Sequence, residues 1–174
     1  MFHGTRAPGA LEVSTLVRDL GSMIDAARAQ VAVAANVTLT MLYWQIGHRV
    51  RTEVLHEERA EYGGQIVVDV GRQLEARYGR GFGEKNLRRM VQFAAVFADA
   101  RIVATLSRQL GWSHFIDLIP IKDRLKREFY SEMCRIERWS VRVLRQKIDS
   151  MVFERTALSK KPESPHPPGA HRST

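Results

Sequence analysis

Apolar positions recur at three- and four-residue steps along most of the chain, and no convincing run alternates with the two-residue period of a strand. From Ser14, read as an N-cap, the series Leu16, Leu20, Ile24, Ala27, Val31, Ala34, Thr38, Leu42, Ile46, Val50 and Val54 predicts one helix. Its length is about eleven turns at 3.6 residues per turn. Gly21 and Gly47 are the two points where it could bend. A helix of that length outruns the usual globular one, which predicts a long antiparallel pair or a coiled-coil-like contact with another chain. Its middle, AQVAVAANVTLT, carries few charges and is expected to be buried by something.

After a charged stretch (TEVLHEERA, 52–60), the spacing predicts a second helix over 60–78 with Ile66, Val70 and Leu74 inward. A third, over 84–98, turns Leu87, Met90, Ala94 and Phe97 to one side. Ile102, Val103, Leu106 and Leu110 mark a short fourth helix, and Ser113 is read as the cap of the next, which Pro120 closes. Residues 123–136 would place Leu125, Phe129, Met133 and Ile136 on an inner face. Ser140 caps a final helix with Val141, Leu144, Ile148 and Val152 inward. From Lys160 the chain reads KKPESPHPPGAHRST, with four of the six prolines, a composition that predicts disorder. The expected organisation is an all-α helical bundle over 14–158, a flexible arm over 1–13 and a disordered Pro-rich tail over 159–174.

Two turns inside this bundle have helix-turn-helix spacing. In RYGRGFGEKNLRRM (77–90) the glycines Gly79, Gly81 and Gly83 surround Phe82, a cluster suited to a sharp change of direction. Arg77, Arg80, Lys85, Arg88 and Arg89 face a single carboxylate, Glu84. A basic helix after a tight turn can enter a DNA groove. The same pattern also describes an ordinary helical hairpin with a solvated basic face. The second turn is LSRQLGWSHFIDLI (106–119), where Gly111 allows the reversal.

Charge strengthens the first option. At 174 residues the chain suits one domain, and 27 Lys and Arg against 19 acids leave a net charge of +8. Such a surplus favours a polyanionic partner through counterion release. Between 122 and 147 nine cations oppose four acids, so Arg142, Arg145 and Lys147 could extend a basic track.

Candidate chemistry is sparse. No Asp or Glu has a lysine two positions later, as the acid-x-Lys pair of a Mg²⁺-dependent nuclease would need. The six histidines lack metal-ligand spacing, and no phosphate-binding GK[ST] loop is present. No catalytic residue, metal or cofactor is therefore expected of this chain. Cys134 is the only cysteine and reads as a buried structural thiol, so no intrachain disulfide can form. His114 suits a helix-start hydrogen bond, with a phosphate contact as the alternative. Trp44, Trp112 and Trp139 suit core or interface packing, with base stacking as the alternative. No apolar run has the length of a membrane span and the start lacks a secretory core, which predicts a cytoplasmic protein.

Several strings occur together in order: YWQIG (43–47), AEYGGQIV (60–67), RGFGEKNLRRM (80–90), LGWSHF (110–115), REFY (127–130), WSVRVLRQKI (139–148) and FERTALSKKPE (153–163). This series resembles the N-terminal domain of the bacterial YhcG family of PDDEXK nucleases, over about residues 14–163. The resemblance implies a helical DNA-binding or targeting portion placed before a nuclease domain that carries the catalytic carboxylates and lysine. On that reading the chain stops where the second domain should begin. Gly83 stands where the family pattern leads one to expect a capping serine, and FADA near Phe97 replaces an expected proline.

The sequence thus predicts a non-catalytic DNA-binding module that uses Arg80, Lys85, Arg88, Arg89, Arg142, Arg145 and Lys147. The alternative is an interaction scaffold, in which the long first helix forms a homodimer or docks a separate nuclease subunit.

Overall fold

The computed structural model describes residues 10–56 and 60–159. Within them eight α-helices follow one another without a strand: α1 (Ala10–His56), α2 (Ala60–Tyr78), α3 (Glu84–Val96), α4 (Ala100–Leu106), α5 (Trp112–Leu118), α6 (Arg124–Glu137), α7 (Val141–Asp149) and α8 (Val152–Ser159). A single 3₁₀ turn, Arg80–Phe82, joins α2 to α3. The all-α bundle with a long first helix is as expected. Part of the arm predicted over 1–13 is already helical, because α1 starts at Ala10; the tail from Lys160 lies outside the described residues.

Helix α1 is unbroken over 47 residues, and its two ends do different things. Residues from Asn36 onward are the axis on which α3, α4 and α2 pack. Gly47 is no bend. It is the point of closest approach to α3, where a Cβ would lie 1.8 Å from the Met90 carbonyl oxygen. Residues 13–28 leave the body, and the stretch expected to be buried is exposed from Ala29 to Ala35, where Ala29, Gln30, Val33 and Ala34 border an open cleft with Ala104, Thr105 and Arg108.

The apolar series along α1 is therefore not one buried stripe: Ile46, Val50 and Val54 reach the core, whereas Leu42, five turns after Ile24 and on its side, is exposed. The side that meets the larger core carries Thr40, Trp44 and Gly47, which the series did not contain; they follow Leu20, Ile24 and Ala27 by twenty residues and so point away from them.

The body has two adjoining cores. Leu87, Met90 and Val67 pack with Tyr43, Ile46, Val50 and Phe82 where α1, α2 and α3 meet. The larger core gathers Phe93, Phe97, Leu106, Phe115, Tyr130 and Leu144 from α3 to α7. Its centre is aromatic: Phe93 and Phe115 have ring centroids 4.7 Å apart, and Trp112 bridges from Phe93 to Tyr43 of the smaller core. Rings of this size supply most of the apolar area a small domain can bury. The three tryptophans serve packing, as Trp44 also donates from Nε1 to the Phe97 carbonyl at 2.7 Å.

Helix ends are closed by side chains, which satisfies backbone groups that have no partner inside the helix. Asp99, Asp123 and Ser140 cap α4, α6 and α7 as N-caps. Asn36, on α1, donates from Nδ2 to the carbonyls of Ser107 and Leu110 and so ties the end of α4 to α1. Helix α5 starts at Trp112, so the Ser113 cap is corrected to Gly111. The Gly111 N–H donates to His114 Nδ1 at 3.1 Å, and His114 Nε2 lies 2.8 Å from the Trp139 carbonyl. Accepting at Nδ1 and donating at Nε2 needs the neutral Nε2–H tautomer. His114 is thus a helix-start residue as expected.

Helix α6 is rotated from the expected phase. Leu125 and Ile136 are 68% and 60% exposed, while Arg127, Tyr130, Ser131 and Cys134 form the buried face. Burial pushes the Cys134 thiol up to about 12. Native protein is therefore expected to react with a thiol reagent at neutral pH only at the rate of unfolding, and denatured protein at once. Prompt labelling of native protein would contradict the burial. The expected last helix is two: Ser150 ends α7, Met151 takes φ 54°, and α8 turns back onto α6, with Lys126 Nζ 2.5 Å from Glu154 Oε1.

Candidate nucleic-acid interface

The corner between α2 and α3 is built by its glycines. Gly79 takes φ 94°, which a side chain would strain, and ends α2 as the spacing predicted. Gly71 lies so close to the start of α3 that a Cβ would meet the Glu84 backbone at 2.7 Å. Gly83 occupies the N-cap of α3 with no side-chain cap; a Cβ there would meet the Glu75 carboxylate at 2.7 Å. The residue expected to be serine is small because Glu75 is packed against it.

Beyond this corner α3 buries Leu87, Met90 and Ala94 against α1, as predicted, and exposes Lys85, Arg88 and Gln92 one turn apart. Arg80, on the 3₁₀ turn, and Arg77, in the last turn of α2, stand beside them in sequence and are exposed. Not all of these charges are equal. Arg88 is held by Glu84 at 2.8 Å, and Arg89 is half-buried with Nη1 on Asn86 Oδ1 at 3.2 Å. Arg77, Arg80 and Lys85 make no ion pair among the described residues. The first turn of α3 also carries the positive end of its dipole.

The other three candidates lie elsewhere. Helix α7 packs on α5, α6 and α8, whereas α3 packs on α1, α2 and the 3₁₀ turn, so the seven cations form two groups on different sub-cores. In the second group Arg145 is bound to Asp117 at 2.8 Å, Lys147 lies over the Trp139 ring at 5.5 Å, and Arg142 is exposed without an ion pair. The apparent surplus over 122–147 shrinks further, since Arg124, Lys126 and Arg135 are paired with Glu128, Glu154 and Glu132. Arg127 is buried altogether.

The second turn with helix-turn-helix spacing is a poor groove reader. Helix α5 (WSHFIDL) carries no Lys or Arg, buries Phe115 and Leu118, and commits His114 and Asp117 to α7. Of the two turns, only the α2–α3 corner leaves an exposed basic helix face.

Among the described residues no three His, Cys, Asp or Glu side chains are grouped to hold a metal ion, and no helix is long and apolar enough to cross a membrane.

A family model, the DUF1016 N-terminal domain, matches residues 19–155, which takes in α1 from its third turn through the first half of α8. The chain belongs to the DUF1016 N-terminal domain family. It is also 32% identical over 167 residues to a protein of Escherichia coli (strain K12) named "Putative nuclease YhcG". That similarity covers 79% of this chain and 44% of the relative, so the chain spans less than half the relative's length. No solved structure matches at a significant level. The resemblance drawn from the ordered strings is thus the family the chain belongs to, and the DUF1016 N-terminal domain is an all-helical body built around α1.

Proposed function

We propose that this DUF1016 N-terminal domain is a non-catalytic module that binds DNA for a nuclease of the YhcG kind, with α3 as the helix that meets the duplex. The observation that supports it most is the pair Arg80 and Lys85, exposed and without a counter-ion among the described residues, at the start of a helix whose opposite face is fixed by the core. Arg77 and Arg88 flank them. Contacts of this type bind phosphates without reading sequence, and their strength falls as salt displaces fewer condensed counterions. Arg142, on α7, forms a second and smaller basic point. Cleavage would belong to the part of the relative that this chain does not match.

The test is a fluorescence anisotropy titration of duplex DNA across a salt series, with Arg80→Glu/Lys85→Glu beside the unaltered protein. Neither side chain packs in the core, so folding should be unaffected. Affinity is expected to fall about tenfold or more, and the slope of log affinity against log salt to flatten by about 2, the share of two phosphate contacts. Equal titrations for the two proteins would refute α3 as the contact helix.

A further inference from the structure

We propose that residues 13–35 of α1 pair with the same residues of a second copy as a parallel, two-stranded coiled coil. Residues 13–28 project beyond the body, and 29–35 border α4 with the side turned away from the stripe, all in one unbroken helix about 35 Å long at 1.5 Å per residue. Heptad positions can be assigned along it. Val17, Ile24 and Val31 fall at a, and Val13, Leu20 and Ala27 at d, alternating in steps of four and three. Leu16 and Met23, at g, widen the stripe on one side.

Every large apolar side chain of that stripe is open, between 47% and 68% exposed. Seven of them in a row exceed what a soluble monomer usually leaves uncovered, and approach one side of an ordinary dimer interface. Apart from Val33, which lines the cleft beside α4, the remaining positions are polar or small: Arg18, Asp19, Ser22 and Asp25 lie on the back. Two arginines and two aspartates make the arm neutral within a chain of net charge +8, so two arms can approach without repulsion.

Three features select a second copy in parallel as the occupant. β-Branched residues at a favour two strands, and all three a positions here are Val or Ile, with leucine at the central d position, Leu20, between Val13 and Ala27. The stripe lies half a turn of helix from the body-facing Thr40, Trp44 and Gly47. Two arms joined along it therefore carry their bodies on opposite outer sides, where they do not collide. Beyond residue 35 the same side carries Thr38, Gln45 and Arg49 around the exposed Leu42, so the seam thins where the bodies begin.

Sedimentation or light scattering of the full chain over a range of concentrations should give twice the 19.8 kDa chain mass. Leu20→Glu/Ile24→Glu should halve that mass and leave the helical circular dichroism of the body intact, because neither residue touches it. Val17→Cys should form a disulfide between copies under mild oxidation, since only a parallel pair sets one position 17 against the other, and Cys134 is buried. A monomer at every concentration overturns the proposal, as does a dimer that survives the double substitution. Dissociation by the double substitution without a cross-link at 17 overturns the parallel register. Arg80→Glu/Lys85→Glu should not change the mass, so failure here and failure of the DNA reading are separate results.

Discussion

Gly47→Ala is expected to destabilise the protein by about 3 kcal/mol, at the upper end of what overpacking costs. For a chain of this size that corresponds to a fall in Tm of roughly 6–12 °C. The added methyl would sit 1.8 Å from the Met90 carbonyl oxygen and 2.3 Å from its carbon. Both atoms belong to the backbone in the middle of α3, so neither can rotate aside. Relief requires α1 and α3 to separate, and that crossing carries Leu87, Met90 and the contacts of Ile46 and Val50.

Alanine's better helix propensity returns at most about 1 kcal/mol. The control is the same substitution on the projecting half of α1, where a Cβ at Gly21 meets nothing within 4 Å. Gly21→Ala should raise Tm by a few degrees, through the same propensity of up to about 1 kcal/mol acting alone. Thermal melts of the two variants decide it. If Gly47→Ala melts with or above the unaltered protein, α1 and α3 do not cross at Gly47.

Those two glycines looked alike in the sequence, and the reason shows what such a reading can reach. Local rules worked where local physics decides: the positive φ at Gly79 ended α2, three- and four-residue steps gave the buried face of α3, and Ser140 sat where a cap is wanted. What failed depends on distant partners. Nothing near Gly111 shows that His114 will be held by Trp139, 25 residues on. Nothing near Asn36 shows that its amide will close α4, more than 70 residues away.

Helix α6 was phased on Leu125 and Ile136 because the face that is buried contains Arg127 and Ser131, which hydropathy assigns to water. Along α1, the spacing gave an apolar face but not what covers it: Leu20, Ile24, Val31 and Leu42 stay exposed, while the larger core is met by a side holding Thr40 and Gly47, which hydropathy does not mark. For the candidate interface, the cations could be located from the sequence but their freedom could not. Arg88 with Glu84 is a four-residue pair that can be anticipated. Arg145 with Asp117 spans 28 residues and needs the fold. The two basic groups likewise join or separate only according to which core each helix enters.

Arg127→Met is expected to destabilise the protein by about 1–3 kcal/mol, the cost of two part-buried carbonyls left without their donor. The side chain is only 8% exposed. Its Nη1 donates to the Ile121 carbonyl at 2.6 Å and Nη2 to the Val96 carbonyl at 3.3 Å, while the guanidinium lies 5.7 Å from the centre of the Phe97 ring. Val96 is the last residue of α3, so its carbonyl has no acceptor role inside the helix, and a positive charge there meets the negative end of the dipole. One guanidinium thus fastens α6 to the end of α3 and to the loop after α5.

Methionine keeps the apolar stem and loses both donors. Arg127→Lys should fall between, because an ammonium has no planar fork to reach two carbonyls at once. Urea titrations of the three proteins should rank them Arg, Lys, Met. Equal midpoints for Arg and Met would mean that the two carbonyls are served by something else. At a urea-free temperature where Arg127→Met is still folded, its DNA titration should keep the salt slope of the unaltered protein. That outcome would divide the chain's positive charge by what it does: Arg127 holds the bundle closed, and Arg80 and Lys85 remain available to a phosphate backbone.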